Sequence, residues 1–427
     1  MGHRLAPSAL AAALALLALT ACTEIPPFRC DEDAQCGAEG RCEDDHACSF
    51  TDDTCHAGRR YGDLGAEEVA GACIGDRSGA IAVIAAGSDH TCAVGEDGRL
   101  WCWGDNQLGG LGRSDVLIAA APDVVPGLAR VTDVDGGEYH TCAVSDGAVS
   151  CWGRGQEGEL GDGGQADWPS PRGIAELTDI VQIELGEQHT CARDRTGVIW
   201  CWGRNDDLET GAPGASHQLA PRQVDVPPST SLVAGGQNAC AVCGADVWCW
   251  GKNDNGQLAI GDTERHNSPQ RVFGYAGAMQ LVLGGEHSCA LMTDHTVRCA
   301  GQNARGQLGD GTLDDRTTPV TVTGLADVVQ LAALDWSTCA LGGDGTVRCW
   351  GGNDVGQLGE PGEDRSTVYA PVPLPRPARA ITGGENHACA QTDDGCLWCW
   401  GSDARGQLGA GRDDQGGAVR PVLLSCW

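Results

Sequence analysis

A motif built on Cys-Ala, His-Thr-Cys-Ala in its fullest form, recurs seven times along the 427-residue chain, with its cysteine at 92, 142, 191, 240, 289, 339 and 389. The spacing is always 49 or 50 residues, so the chain is built from copies of one structural unit that stack on their neighbours. In each copy an apolar stretch such as Ile81 to Ala86 runs to a glycine five residues before the cysteine (Gly87, Gly137, Gly186, Gly235, Gly284 and Gly384, with Leu334 in the sixth copy). Cys-Ala-Val, a turn such as Glu96-Asp97-Gly98 and then Cys-Trp-Gly read as a β-hairpin. Further on stand Gly-Gln-Leu (256–258, 306–308, 356–358 and 406–408), a variable polar segment and a proline-containing strand such as Pro319-Val320-Thr321-Val322. Four strands per period make a propeller blade. Helical repeats of similar length need long glycine-free helical stretches, and the 64 glycines work against them at about 1 kcal/mol for each one inside a helix. The fold class is therefore all-β, a seven-bladed β-propeller over residues 81–427.

A second cysteine follows the first by nine or ten residues in every copy. In an antiparallel hairpin that turns halfway between them the two stand opposite, within disulfide reach. The predicted bonds are Cys92–Cys102, Cys142–Cys151, Cys191–Cys201, Cys240–Cys249, Cys289–Cys299, Cys339–Cys349 and Cys389–Cys399. Each closes a short loop and contributes about 2.5 to 3 kcal/mol in the chain-entropy picture. Cys240-Ala-Val-Cys243 and Cys396-Leu-Trp-Cys399 also have the two-residue gap of zinc or redox sites. The hairpins already use Cys240 and Cys399, and copies four and seven are not neighbours in a ring, so no metal or cofactor is expected. Cys243, Cys396 and Cys426 remain over, and one to three of them are expected as free thiols.

The N-terminus reads as an address. Arg4 precedes an apolar run from Leu5 to Leu19, too short and too alanine-rich for a stable membrane span, and residues 1–21 form a secretory signal. Leu19-Thr20-Ala21-Cys22 resembles the bacterial lipobox, which implies a lipid on Cys22. Thr23 in place of Asp implies sorting to the outer membrane, at its periplasmic or cell-surface face, with the lipid as the only anchor. Export is consistent with paired cysteines. Residues 22–80 hold Cys30, Cys36, Cys42, Cys48, Cys55 and Cys73 among acidic residues and glycines, a composition that builds no core and must be stapled by disulfides. Six cysteines allow 15 connectivities, and sequence does not choose among them. The segment reads as a spacer, with Asp31-Glu32-Asp33 and Glu43-Asp44-Asp45 allowing a calcium-binding module as the alternative.

The wording of the repeat, from Gly through His-Thr-Cys-Ala and Cys-Trp-Gly-x-Asn to Gly-Gln-Leu-Gly, resembles the regulator of chromosome condensation repeat, and the resemblance covers residues from about 82 to 427. It implies a seven-bladed propeller. Copy five departs with Ala300 for the tryptophan, and copies one to three blur Gly-Gln-Leu, while the spacing continues through them.

His90, His140, His189, His287 and His387 stand two residues before the blade cysteines, where one residue per blade is too widely spaced to ligate a single metal; a repeated buried hydrogen bond is expected instead. Trp103, Trp152, Trp202, Trp250, Trp350 and Trp400 read as wedges between blades. The tryptophan before the second cysteine occurs in four copies only (Trp101, Trp200, Trp248 and Trp398), and is replaced by Ser150, Arg298 and Arg348 elsewhere. Such variation suggests partial exposure, and these four are candidates for a partner surface. A formal net charge of −31 excludes a general electrostatic grip on nucleic acid or anionic lipid. No catalytic motif stands out, and the chain reads as a protein-protein interaction module rather than an enzyme, with an unknown protein partner at one propeller face. The repeat is also similar to β-lactamase inhibitory protein II, which makes an inhibitor of a secreted enzyme the alternative. A hydrolase would require acids converging in the central channel. Nucleotide exchange, the activity of the family the repeat resembles, is disfavoured by export and by repeat spacings that leave no room for a long insertion. Closure is expected to bring the final strand, Pro421 to Leu424, beside the opening strand at Ile81 to Ala86, with Cys426 either bonded to Cys73 or free.

Overall fold

The computed structural model describes residues 41–42, 48–51, 59–61, 81–411 and 417–422. The chain divides into two compact units, Met1–Arg77 and Ser78–Trp427. In the first, Arg41–Cys42, Cys48–Thr51 and Arg59–Tyr61 pair in order as a small antiparallel sheet. The signal segment, Cys22, the side-chain connectivity of the spacer, and Cys426 lie outside the described residues.

The second unit consists of seven four-stranded antiparallel sheets, each made from one repeat in sequence order. Blade one is typical. Its strands are Ile81–Ala86, His90–Gly95, Leu100–Asp105 and Ile118–Val124. The first strand of every blade lines a central channel with a cavity of about 390 Å³. The fourth strands form the outer edges, where exposed N–H groups invite pairing with another chain. Each carries proline there, among them Pro122, Pro171, Pro269 and Pro371, which removes a donor from the edge.

Local sequence sets each blade. The hairpin register places Cys92 opposite Cys102, and the equivalent pairs face each other in the other six blades. All seven disulfides are formed, with Cα–Cα distances of 4.1 Å. The glycine of Cys-Trp-Gly is required by its backbone. Gly104 has φ 109°, and a Cβ there would lie 2.4 Å from the Asp89 carbonyl oxygen. The same residue marks a bulge in the pairing of strands three and four.

One expectation is corrected. The final strand, Arg420–Pro421, pairs with Leu397–Gly401 in its own blade and does not pair with Ile81–Ala86. Each repeat supplies all four strands of its blade, so no strand is left over to cross the closure. Blades seven and one instead meet face to face, with Val422, Leu397 and Leu408 packed against Ile81, Ala93 and Trp103. Of the three cysteines left over from the hairpins, Cys396 is disulfide-bonded. Cys243 is the free cysteine among the described residues; it is half-buried and its thiol is pushed up to about 11 by burial and then by Asp246.

Candidate functional site: the loop face and channel mouth

Connections alternate between the two ends of an antiparallel blade. The turns joining strands one and two, at the channel mouth, therefore share a face with the long variable connections joining strands three and four, and a repeated seam holds that face rigid. His90 Nε2 lies 2.8 Å from Thr141 Oγ1 of the next blade, and His140–Thr190, His287–Thr338 and His387–Thr91 repeat the contact at 3.0, 2.8 and 2.7 Å. The threonine donates onward to a backbone carbonyl of the preceding blade, Thr141 to Gly110 and Thr91 to Gln407. The wedge tryptophan donates to the same carbonyl, Trp152 to Gly110 and Trp103 to Gln407. Both groups are buried, and burial pulls all five histidines down to about 3 or 4, so they are neutral hydrogen-bonding partners at ordinary pH. In blade five, where Ala300 replaces the wedge, Tyr275 from the preceding connection packs in the same cluster and donates to Ser288 O at 2.9 Å.

The structure does not gather the four other tryptophans into one patch. Trp101, Trp200, Trp248 and Trp398 are half-buried, one in each of four blades, opposite Ala93, Ala192, Ala241 and Ala390. Trp101 and Trp200 pack on neighbouring hydrophobic clusters.

Sequence reasoning missed the acids. Residues three and four before the blade cysteines form the mouth turns and include Asp89, Glu138, Glu187, Glu286, Asp335 and Glu385, with no lysine or arginine in any copy. Reading that column across the repeats would have revealed them. Burial raises Asp89, Glu187 and Glu385 above the usual carboxylate range, and neighbouring carboxylates add to the shift. Asp335 is pushed up to about 7 by burial and then by Glu385, Glu187 and Glu286. Glutamines fix the ring in place: Gln188 donates to Glu138, Gln237 to Glu187, Gln257 to Glu286 and Gln407 to Asp89, at 2.6 to 2.9 Å.

Inside the channel, Asp133, Asp135 and Glu184 converge from blades two and three. Burial pushes Asp133 to about 6, Asp135 to about 7 and Glu184 well above its usual value. These acids have structural partners. Asp133 and Asp135 accept the backbone N–H groups of Ile183 and Leu185 at 2.9 and 2.7 Å. In blades five and six Gln280 and Gln330 occupy the Asp133 position and bond to both the N–H and the carbonyl of the next inner strand. The channel acids thus tie inner strands together.

Blade geometry, channel and seam together define a closed seven-bladed propeller. Residues 57–373 match the RCC1-like domain and residues 378–407 the regulator of chromosome condensation (RCC1) repeat. The chain belongs to the RCC1-like domain family. Human WBSCR16 has a similar fold (TM-score 0.70, 20% identity, 76% of this chain and 93% of that one). So does yeast RCC1 (Prp20) in its complex with Kap60 (TM-score 0.69, 20% identity, 82% and 86%). A further structure of Prp20p from Saccharomyces cerevisiae, studied for its binding to Gsp1p and histones, matches at TM-score 0.69 and 20% identity over 81% and 87%.

Proposed function

We propose that this chain is exported, anchored to the outer membrane through a lipid on Cys22, and holds a basic protein partner on the acidic loop face of its propeller. One observation carries the reading of the face: six carboxylates crowd the channel mouth, and several are raised by burial and mutual repulsion. A partner bringing positive charge relieves that repulsion and is steered by the field. Leu117 and Trp168, 70% and 36% exposed in the third-to-fourth connection of blade one and at the start of the fourth strand of blade two, supply apolar anchors. The yeast relative Prp20 is itself a protein binder.

The test is affinity capture after cross-linking on intact cells, comparing wild type with a Glu138→Gln, Glu187→Gln, Asp335→Asn, Glu385→Gln variant. The expected partner is basic, is lost from the variant, and is released by about 0.5 M salt. It also binds more weakly at pH about 5.5 than at pH about 8, because Asp335 gains its proton on the way down through about 7. Equal capture by both proteins would remove the acidic mouth from the reading. Anchoring is tested separately: Cys22→Ala should move the protein from the membrane to the soluble fraction.

A further inference from the structure

The residue after each Cys-Trp-Gly occupies an equivalent place under the mouth. The backbone N–H of Asp105 donates to Asp89 O at 2.8 Å, and those of Arg154, Arg204 and Lys252 donate to Tyr139, Gln188 and Gln237 in the same way. Blades two, three and four use this place for a cation. Arg154 reaches Glu157 at 3.1 Å and Glu159 at 3.7 Å, Arg204 reaches Asp207 at 3.2 Å, and Lys252 reaches Glu286 at 2.6 Å. Blade one places a carboxylate there instead. Asp105 is only 8% exposed, and its Oδ1 has no hydrogen-bond partner. Its Oδ2 receives one long bond, from Gln107 N at 3.4 Å.

The Asp105 carboxylate lies among other acids. Asp105 lines a small cleft with His90, Glu138 and Tyr139, and its charge repels Asp89. Two cations stand nearby: Arg405 acts on Asp89, and Arg154 is 3.8 Å from Glu138 but closer to Glu157. Neither meets Asp105 Oδ1. A buried carboxylate oxygen without a partner is costly, and a positively charged donor satisfies it best. Leu117 and Trp168, exposed on the same face, belong to blades one and two as well.

We infer that the corner between blades one and two is a receptor for one basic side chain of the partner, which takes the place that Arg154, Arg204 and Lys252 fill from within their own blades. The inference rests on the acidic-face reading above, and it adds a location, a charge and a side-chain class. The cleft is tight in the free protein.

The test measures fluorescence anisotropy of a labelled decalysine peptide on the full chain. Wild type is compared with Asp105→Arg, which installs the cation that blades two and three carry, with Asp105→Asn, and with the four-carboxylate mouth variant. Asp105→Arg is expected to weaken binding about tenfold or more, and Asp105→Asn by less, with melting curves reporting that both are folded. If Asp105→Arg and Asp105→Asn bind like wild type while the mouth variant loses the peptide, the corner receptor is wrong and the acidic-face reading stands. If none of the four proteins binds the peptide, both fall. A saturable calcium isotherm lost in Asp105→Asn would assign the corner to an ion and overturn the inference.

Discussion

The seam that closes the ring and the two seams around blade four are built to the same plan, but only the first makes its histidine–threonine bond. At the closure His387 meets Thr91, and Thr91 and Trp103 both donate to the Gln407 carbonyl at 2.9 Å. At the seam from blade three to blade four, Ala239 replaces the threonine, and both ring nitrogens of the fully buried His189 are left without partners. At the next seam Asn238 replaces the histidine, and its amide is unpartnered as well. The joint that connects the most distant parts of the sequence is thus better bonded than the two joints between adjacent repeats around blade four. Closure requires no special device, because seam quality depends on which side chains meet, whatever their separation along the chain. A ring of this kind should open first where buried polar groups are orphaned, since each costs about 1 to 3 kcal/mol.

The largest effect expected is at the closure wedge. Trp103 is fully buried between blades seven and one and donates one of the seam's bonds. Trp103→Ala should cost about 4 kcal/mol in urea unfolding, because a large cavity and an unpaired carbonyl remain. Half-buried Trp101→Ala, two residues away, should cost less than half as much. Similar losses for both would show that the wedge does not hold the seam.

Next in size is a contrast between two histidines. His387→Ala removes a made hydrogen bond as well as packing and should cost about 2 to 3 kcal/mol, whereas His189→Ala should cost at least about 1 kcal/mol less, because it breaks no bond and removes two unpartnered nitrogens where His387→Ala removes one. Equal costs would mean that His189 is satisfied after all, for instance by water. The same histidine shapes the acid limb of stability. His189 is lowered to about 4 by burial, so below its ordinary value near 6.5 the unfolded chain takes up a proton that the folded chain refuses. Stability therefore falls as pH drops from about 6.5 to about 4. His189→Leu should flatten that limb by about 1.4 kcal/mol per pH unit, and an unchanged slope would place the histidine in contact with solvent.

The features legible in the sequence were those that repeat. Hairpin spacing gave the blade disulfides, and the recurring His-Thr and Cys-Trp-Gly gave a buried contact and a wedge, because each meets the same local geometry in copy after copy. What repetition could not show was how unlike side chains compensate. Tyr275 answers Ala300 across a connection of variable sequence, and only the fold brings the two together. Asp105 stands where three blades carry a cation, a substitution whose meaning depends on Glu138 in the next blade. The final strand was misplaced because seven repeats can close either by sharing a strand or by packing complete blades, and hydrophobic pattern is identical in the two cases. Four scattered tryptophans drew attention because their position varies between copies, whereas the acidic mouth was spread thinly, about one residue per 50.

The smallest effect is also the most direct test of blade four. Ala239 stands opposite Trp250 just as Thr190 stands opposite Trp202, so a threonine at 239 has a hydroxyl in the register that meets a histidine at the intact seams. Its two natural partners are already in place. His189 Nε2 is unpaired, and the Glu209 carbonyl already accepts Trp250 Nε1 at 2.9 Å, as Glu159 O accepts both Trp202 and Thr190 in the preceding seam. A carbonyl has two lone pairs, so the second bond displaces nothing. Ala239→Thr should therefore stabilise the propeller by about 1 kcal/mol, a rare sign for a substitution in a fully buried site. Hydrogen exchange should localise the gain, with slower exchange in Ser231–Gly235 and Asn238–Cys243 and little change at the closure. Were the variant destabilised, the space beside His189 would be too small for the extra atoms, and blade four would owe its alanine to packing. If instead exchange slowed equally around the ring, the seams would open together, and the difference between closure and blade four would have no bearing on how the ring comes apart.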